Sequence, residues 1–252
     1  MGKTYEALKR AEKERQQKRL EIVQPAQNLE PRKEKSYNRR KYSHLEPYEH
    51  LKTSILARYG SPNKSIKTIM FNSTSSGDGC STTAMNFAAT LATDPDLNVL
   101  LVEVNLRTPS LIKRLNIGHA PDLNDLVANL SQMTARIEKV ESENLYVIGC
   151  GGGSLLGALG LFESGEFDQF LKTVRKRFDY VILDAPPVPV FSEFRVLCSK
   201  VDGIVLVVKS DETRRQVALR AKKEIEAARG NLIGVVLNKR KYYIPKWIYK
   251  RL

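Results

Sequence analysis

The sequence predicts an α/β fold: a mostly parallel sheet with helices on both faces. Three observations carry that expectation. Six apolar runs alternate with helix-forming stretches along residues 66–237, and a strand–helix–strand repeat of this kind builds a parallel sheet through right-handed crossovers. The runs are near-continuous in apolar residues, as strands covered on both faces are. A glycine-rich turn follows the first run directly.

In chain order, residues 1–44 form a basic arm and linker. Residues 4–20 are strong helix formers whose apolar positions thin out after Leu8 and Ala11, so only a short docking helix is expected. Residues 24–45, with Pro25, Pro31 and many charges, read as a linker. The folded body spans residues 45–238. Its strands are expected at Ile66–Phe71, Asn98–Val104, Leu145–Ile148, Tyr180–Leu183, Gly203–Val208 and Leu232–Leu237. Its helices are expected near 81–93, 122–130, 166–177, 192–199 and 211–228. Residues 239–252 make a tail that interleaves tyrosine and basic residues.

The formal charge of +13 is located at the two ends. Residues 1–45 carry 13 Lys/Arg against 6 Asp/Glu, and residues 239–252 carry 6 basic residues and no acid. The body balances at 22 against 22, so DNA binding by the body is not expected, and the arms are the candidates for an acidic partner or an anionic membrane surface. No apolar run approaches the ~20 residues of a membrane span, and no secretory or myristoylation signal is indicated at the N-terminus. Cys80, Cys150 and Cys198 are odd in number and lack CxxC spacing, which fits a reducing cytoplasm and argues against a disulfide framework or a zinc site.

The chemistry concentrates after the first strand, in Ser73-Thr74-Ser75-Ser76-Gly77-Asp78-Gly79-Cys80-Ser81-Thr82. A glycine-rich turn feeding a helix N-terminus presents backbone N–H groups and the positive dipole end to an anion. The P-loop pattern ends Gly-Lys-Ser/Thr. Here Gly79 and Ser81 supply the glycine and the Mg²⁺-reaching hydroxyl, while Cys80 stands where the lysine would be. Ser75, Ser76, Gly77, Asp78, Gly79, Cys80, Ser81 and Thr82 are therefore the candidate phosphate-binding residues of a P-loop NTPase-like fold. Asp184, closing the strand Tyr180–Leu183, is placed to hold a Mg²⁺-bound water. A helix N-terminus stabilises a thiolate, so Cys80 is expected to be the most reactive of the three cysteines.

At these residues the chain resembles the bacterial tyrosine kinases, the autokinases that partner membrane-embedded chain-length regulators in capsule and exopolysaccharide export. The resemblance covers roughly residues 45–239. The family's motifs S-x-x-P-G-x-G-K-S, L-L-I-D-A-D-L-R-x-P and I-I-D-x-P-P fall on Ser73–Ser81, Leu100–Pro109 and Ile182–Pro187. The resemblance implies ATP or ADP with Mg²⁺ as cofactor, Glu103 and Asp184 in catalysis, and Ser81, Asn105 and Asp184 at the metal. It also implies that Arg107 lies near the nucleotide, that Asn238 contacts the adenine, and that Tyr242, Tyr243 and Tyr249 are autophosphorylation sites. No lysine lies between Asn72 and Gly79, whereas the related partitioning and division-site ATPases carry a signature lysine near the loop's start.

The departures set the functional expectation. Cys80 replaces the lysine, and Glu103 and Asn105 replace two aspartates. The ring-forming motif E-x-x-R-x-x-R reads Glu46, Glu49 and Lys52, which leaves an oligomer possible in principle but altered. Phosphoryl transfer depends on positioned charge, so the expectation is a cytoplasmic, membrane-peripheral regulator of polysaccharide export, partner of a chain-length regulator, with weakened or lost ATP turnover. The alternatives are an active autokinase, phosphorylating its C-terminal tyrosines, in which Glu103 and Asp184 suffice and another basic residue, such as Arg107, replaces the lysine, and a membrane-recruited positioning ATPase.

Overall fold

The computed structural model describes residues 45–59, 66–117, 121–129, 137–140, 144–150, 155–188 and 192–240. The basic arm 1–44, the glycine run 151–153, and the tail tyrosines Tyr242, Tyr243 and Tyr249 lie outside the described residues.

The elements are α1 (Glu46–Tyr59), β1 (Thr68–Ser73), α2 (Cys80–Ala92), β2 (Val99–Glu103), α3 (Leu111–Leu115), α4 (Leu123–Ala128), β3 (Glu138–Lys139) and β4 (Leu145–Ile148). They continue through α5 (Leu155–Glu163), α6 (Gly165–Arg177), β5 (Tyr180–Asp184), α7 (Glu193–Cys198), β6 (Gly203–Lys209), α8 (Arg215–Ala227) and β7 (Leu232–Asn238). The sheet runs β3-β4-β2-β5-β1-β6-β7. Six strands are parallel, and β3 joins β4 antiparallel at one edge. All six expected strands are present with ends shifted by at most two residues.

Two apolar clusters cover the two faces of the sheet. One gathers Leu100, Val102, Leu183 and Leu206 with Phe162, Phe167 and Phe170 from α5 and α6. The other gathers Ile69, Phe71, Leu101 and Ile182 with Phe87 and Leu91 from α2. Phe71 and Phe87 pack with ring centroids 5.3 Å apart, which fixes α2 over β1. Burying side chains of this size stabilises the fold by about 2–3 kcal/mol each.

Local chemistry sets the element ends. Ser164 caps α6 by accepting from Phe167 N at 3.1 Å, and Glu166 and Asp168 in its first turn with Arg175, Lys176 and Arg177 in its last complement the helix dipole. Asp202 accepts from the backbone N–H groups of Lys67 (2.9 Å) and Thr68 (2.8 Å), anchoring the entry of β1 beside β6. Among the described residues no helix is long and apolar enough to cross a membrane.

Candidate nucleotide-phosphate site

The loop between β1 and α2 is shaped by two glycines in the left-handed region, Gly77 at φ +88° and Gly79 at φ +94°, where residues with a Cβ are strained. This bend folds Asp78 inward. Its Oδ2 accepts from Thr74 N (3.1 Å), Ser75 N (2.8 Å) and Thr74 Oγ1 (2.6 Å). The loop therefore satisfies its own opening amides. Its other end stays open: Gly79 is the N-cap of α2 and no side chain caps the helix, so the N–H groups of the first turn lack intrahelical acceptors.

A cleft of roughly 410 Å³ opens over that first turn, and Ser76, Gly79, Ser81, Asn105, Arg114 and Lys239 are among its lining residues. Its walls follow the carboxyl ends of β1, β2, β5 and β7, where parallel α/β sheets bind ligands. Of the candidates read from the sequence, the structure brings Ser76, Gly77, Gly79, Cys80, Ser81, Thr82 and Asn105 to this cleft. Ser75 and Asp78 line a neighbouring hollow on the side of Lys209–Arg214.

Four candidates have other work in this structure. Glu103 is fully buried and accepts from Ser110 N and from Leu111 N (3.0 Å), fixing the turn that leads into α3. It positions that turn and does not line the cleft; burial pushes its carboxyl above the usual range. Arg107 pairs through Nη2 with the buried Glu193 at 2.7 Å and is likewise not among the cleft residues. Asn238 has both ends of its amide engaged: Nδ2 donates to the Asp78 carbonyl oxygen at 2.8 Å, and Oδ1 accepts from Lys239 N at 2.8 Å. It holds the loop in place of offering its amide to a base.

Cys80 is the fourth. Its thiol donates to the Ala185 carbonyl oxygen at 3.7 Å. Burial, and then the charge of Asp184, raise its pKa well above the ordinary thiol value. The expected thiolate is thus overturned: at this helix start, desolvation and a neighbouring carboxylate outweigh the dipole.

Asp184 is fully buried, and neither carboxylate oxygen is met in full hydrogen-bond geometry, although the Ser81 hydroxyl and the Cys80 thiol lie near enough to act on its charge. Burial pushes its carboxyl up to about 7; the Glu103 charge adds to the rise, and the Ser81 hydroxyl, Cys80 thiol and Arg114 guanidinium oppose it. Asn105 donates from Nδ2 to Thr108 Oγ1 at 3.0 Å, while its buried Oδ1 lacks a partner. Such orphaned oxygens are costly unless a ligand completes them. The Ser81 hydroxyl lies against Asp184 and shares the cleft lining with Asn105; all three offer oxygen, the donor type a Mg²⁺ ion takes beside water and phosphate. Among the described residues no group of three or more His, Cys, Asp and Glu could hold a metal by itself.

Sequence reasoning missed the two cationic residues of the cleft lining, Arg114 and Lys239. The former lies in a five-residue helix, α3. The latter falls at the start of the basic tail by composition, although its place directly after a parallel strand is a usable signal. Lys52 of the altered ring motif reaches the Thr90 carbonyl oxygen at 3.5 Å within the chain.

No family model matches the chain. The tyrosine-protein kinase YwqD of Bacillus subtilis is 26% identical over 196 residues, covering 78% of this chain and 81% of that protein. Among solved structures, the chimerical protein CapA2B2 superposes with a TM-score of 0.71 at 26% identity, covering 78% of this chain and 85% of that one. A ParA family ATPase from Chlorobium tepidum shares the fold, with a TM-score of 0.55 at 18% identity over 70% of this chain and 86% of that one.

Proposed function

Because this chain is related to the bacterial tyrosine-protein kinases, on a fold shared with ParA-type P-loop ATPases, we propose that it is a nucleotide-binding regulator with weakened phosphoryl transfer. It acts in capsule or exopolysaccharide export, at the inner face of the membrane, with a membrane chain-length regulator. The observation that carries the reading is Cys80: a neutral, half-buried thiol hydrogen-bonded to Ala185 stands at the helix start where the motif calls for a lysine.

The chain's own residues divide the work. The free amides at the start of α2 bind phosphate oxygens. Ser81, Asn105 and Asp184 would hold Mg²⁺, which neutralises phosphate charge when bound. Losing the lysine removes a cation from where negative charge gathers in the transition state, a loss of roughly 3–4 kcal/mol by comparison with one oxyanion-hole donor. The engagement of Arg107 by Glu193 disfavours the autokinase alternative built on that arginine.

The test is ATP hydrolysis and phosphotyrosine content of the full chain, measured beside YwqD. Turnover at least 100-fold lower, without phosphate on Tyr242, Tyr243 or Tyr249, is expected. Turnover equal to YwqD would contradict the reading.

A further inference from the structure

The cleft lacks the loop lysine but does not lack cations. Lys239 follows β7 directly and sits at φ +55°, a left-handed conformation that costs a lysine about 1–2 kcal/mol. Asn238 holds it there by accepting from its N–H at 2.8 Å. The turn aims the side chain back across the loop, where Nζ donates to the Gly77 carbonyl oxygen at 2.7 Å. From the opposite wall Arg114 donates through Nη1 to Thr82 Oγ1 at 3.2 Å and through Nε to Ser110 Oγ at 3.1 Å. Both side chains line the same cleft as the uncapped start of α2.

Asn105 is an independent sign that this cleft takes a ligand: it is nine-tenths buried, lines the cleft, and keeps its Oδ1 without a partner. Asp184 is not itself a lining residue; it lies buried behind the cleft residues Ser81 and Cys80, which act on its carboxyl. Beside a metal held by these oxygens, two flanking cations would balance the remaining charge of a polyphosphate.

We propose that Lys239 and Arg114 together replace the absent loop lysine, each exchanging a neutral partner, Gly77 O or Thr82 Oγ1, for the phosphoryl oxygens of a nucleoside di- or triphosphate in this cleft. This rests on the nucleotide-phosphate reading above. The replacement is split across two elements: Lys239 stands at the end of the last strand, and Arg114 on the helix after β2. Neither cation comes from the loop, so binding is retained while the transferring phosphoryl group loses the contact that a loop lysine makes.

The experiment titrates ADP and inorganic pyrophosphate, each with Mg²⁺, into the full chain and into Lys239→Ala, Arg114→Ala, the double variant and Lys239→Arg. Arg195→Ala, whose guanidinium pairs with Glu224, controls for lost charge. Each single alanine is expected to weaken both ligands about 5- to 10-fold and the double variant about 50-fold, with Lys239→Arg recovering most of the loss. Cys80→Lys added to Lys239→Ala should restore affinity, because it returns a cation to the loop. Both cations are exposed, so their single and double variants should unfold at the parent's temperature. Binding by the parent that neither alanine weakens beyond the Arg195→Ala control overturns this inference and leaves the nucleotide reading standing. No binding of ADP or pyrophosphate by the parent overturns both.

Discussion

Asn238 donates from Nδ2 to the carbonyl oxygen of Asp78 at 2.8 Å. The bond ties the end of β7 to the loop after β1 across the intervening strand β6. The same amide accepts from Lys239 N, so one side chain sets both the loop's position and the direction of the lysine above it. Asn238→Ala is expected to cost about 1–2 kcal/mol of stability and to raise hydrogen exchange at the amides of residues 77–80. An exchange pattern unchanged from the parent would contradict the tie.

Gly79 is the tightest point of that arrangement. A Cβ there would lie 2.2 Å from Asn238 Nδ2, and the backbone sits at φ +94°. Gly79→Ala is expected to lose about 2–3 kcal/mol, through backbone strain and the displaced asparagine. Gly77→Ala meets nothing within 4 Å and should cost only the strain of its φ. Denaturant midpoints of the two variants check the order.

Asp184 makes stability fall as pH rises. Folded, its carboxyl ionises near 7; unfolded, it returns to the ordinary value of about 3.9. Between those values the folded chain holds more protons than the unfolded one, so the unfolding free energy drops across this window and the whole penalty stands above about pH 7. The shift corresponds to at most about 4 kcal/mol. Asp184→Asn should therefore be more stable than the parent at pH 8, with the gap closing toward pH 4. Urea midpoints showing the same gap at both pH values would contradict this.

Much of the fold was legible because its signal is local. Near-continuous apolar runs within Asn98–Val104 and Gly203–Val208, short and rich in Val, Leu and Ile, read as strands buried on both faces, and the strands stand at Val99–Glu103 and Gly203–Lys209. The elements missed lack periodicity: α1 buries only Ile55, α5 is apolar on every side in Leu155–Glu163, and β3 has two residues. In the site, the loop was legible from Gly77, Gly79 and Ser81. The pairing of Arg107 with Glu193, 86 residues apart, and the reach of Lys239 to Gly77, 162 apart, are tertiary facts with no local trace. The thiol of Cys80 was misjudged because the dipole is written in the sequence and the burial beside Asp184 is not.

Cys80 follows from that correction. Its raised pKa predicts slow alkylation at pH 7.5, at least tenfold below a free thiol, since the thiolate is the nucleophile. Removing the neighbouring charge with Asp184→Asn should speed it. Site-resolved rates by mass spectrometry check both, and a fast Cys80 in the parent would contradict the burial argument.

Arg107 tests the division between structure and site. Arg107→Ala removes the ion pair of the buried Glu193, which keeps the Ser192 hydroxyl at 3.4 Å, and is expected to cost about 1–3 kcal/mol, while ADP affinity changes less than twofold. A loss of affinity as large as that expected for Lys239→Ala would return Arg107 to the nucleotide.

Calorimetric titration of ADP with Mg²⁺ into the full chain and its Cys80→Lys variant tests the central claim most directly. The account predicts saturable binding at one site per chain, tightened about tenfold or more when Cys80→Lys restores the cation beside the open amides of α2. No saturable heat from either protein would contradict it.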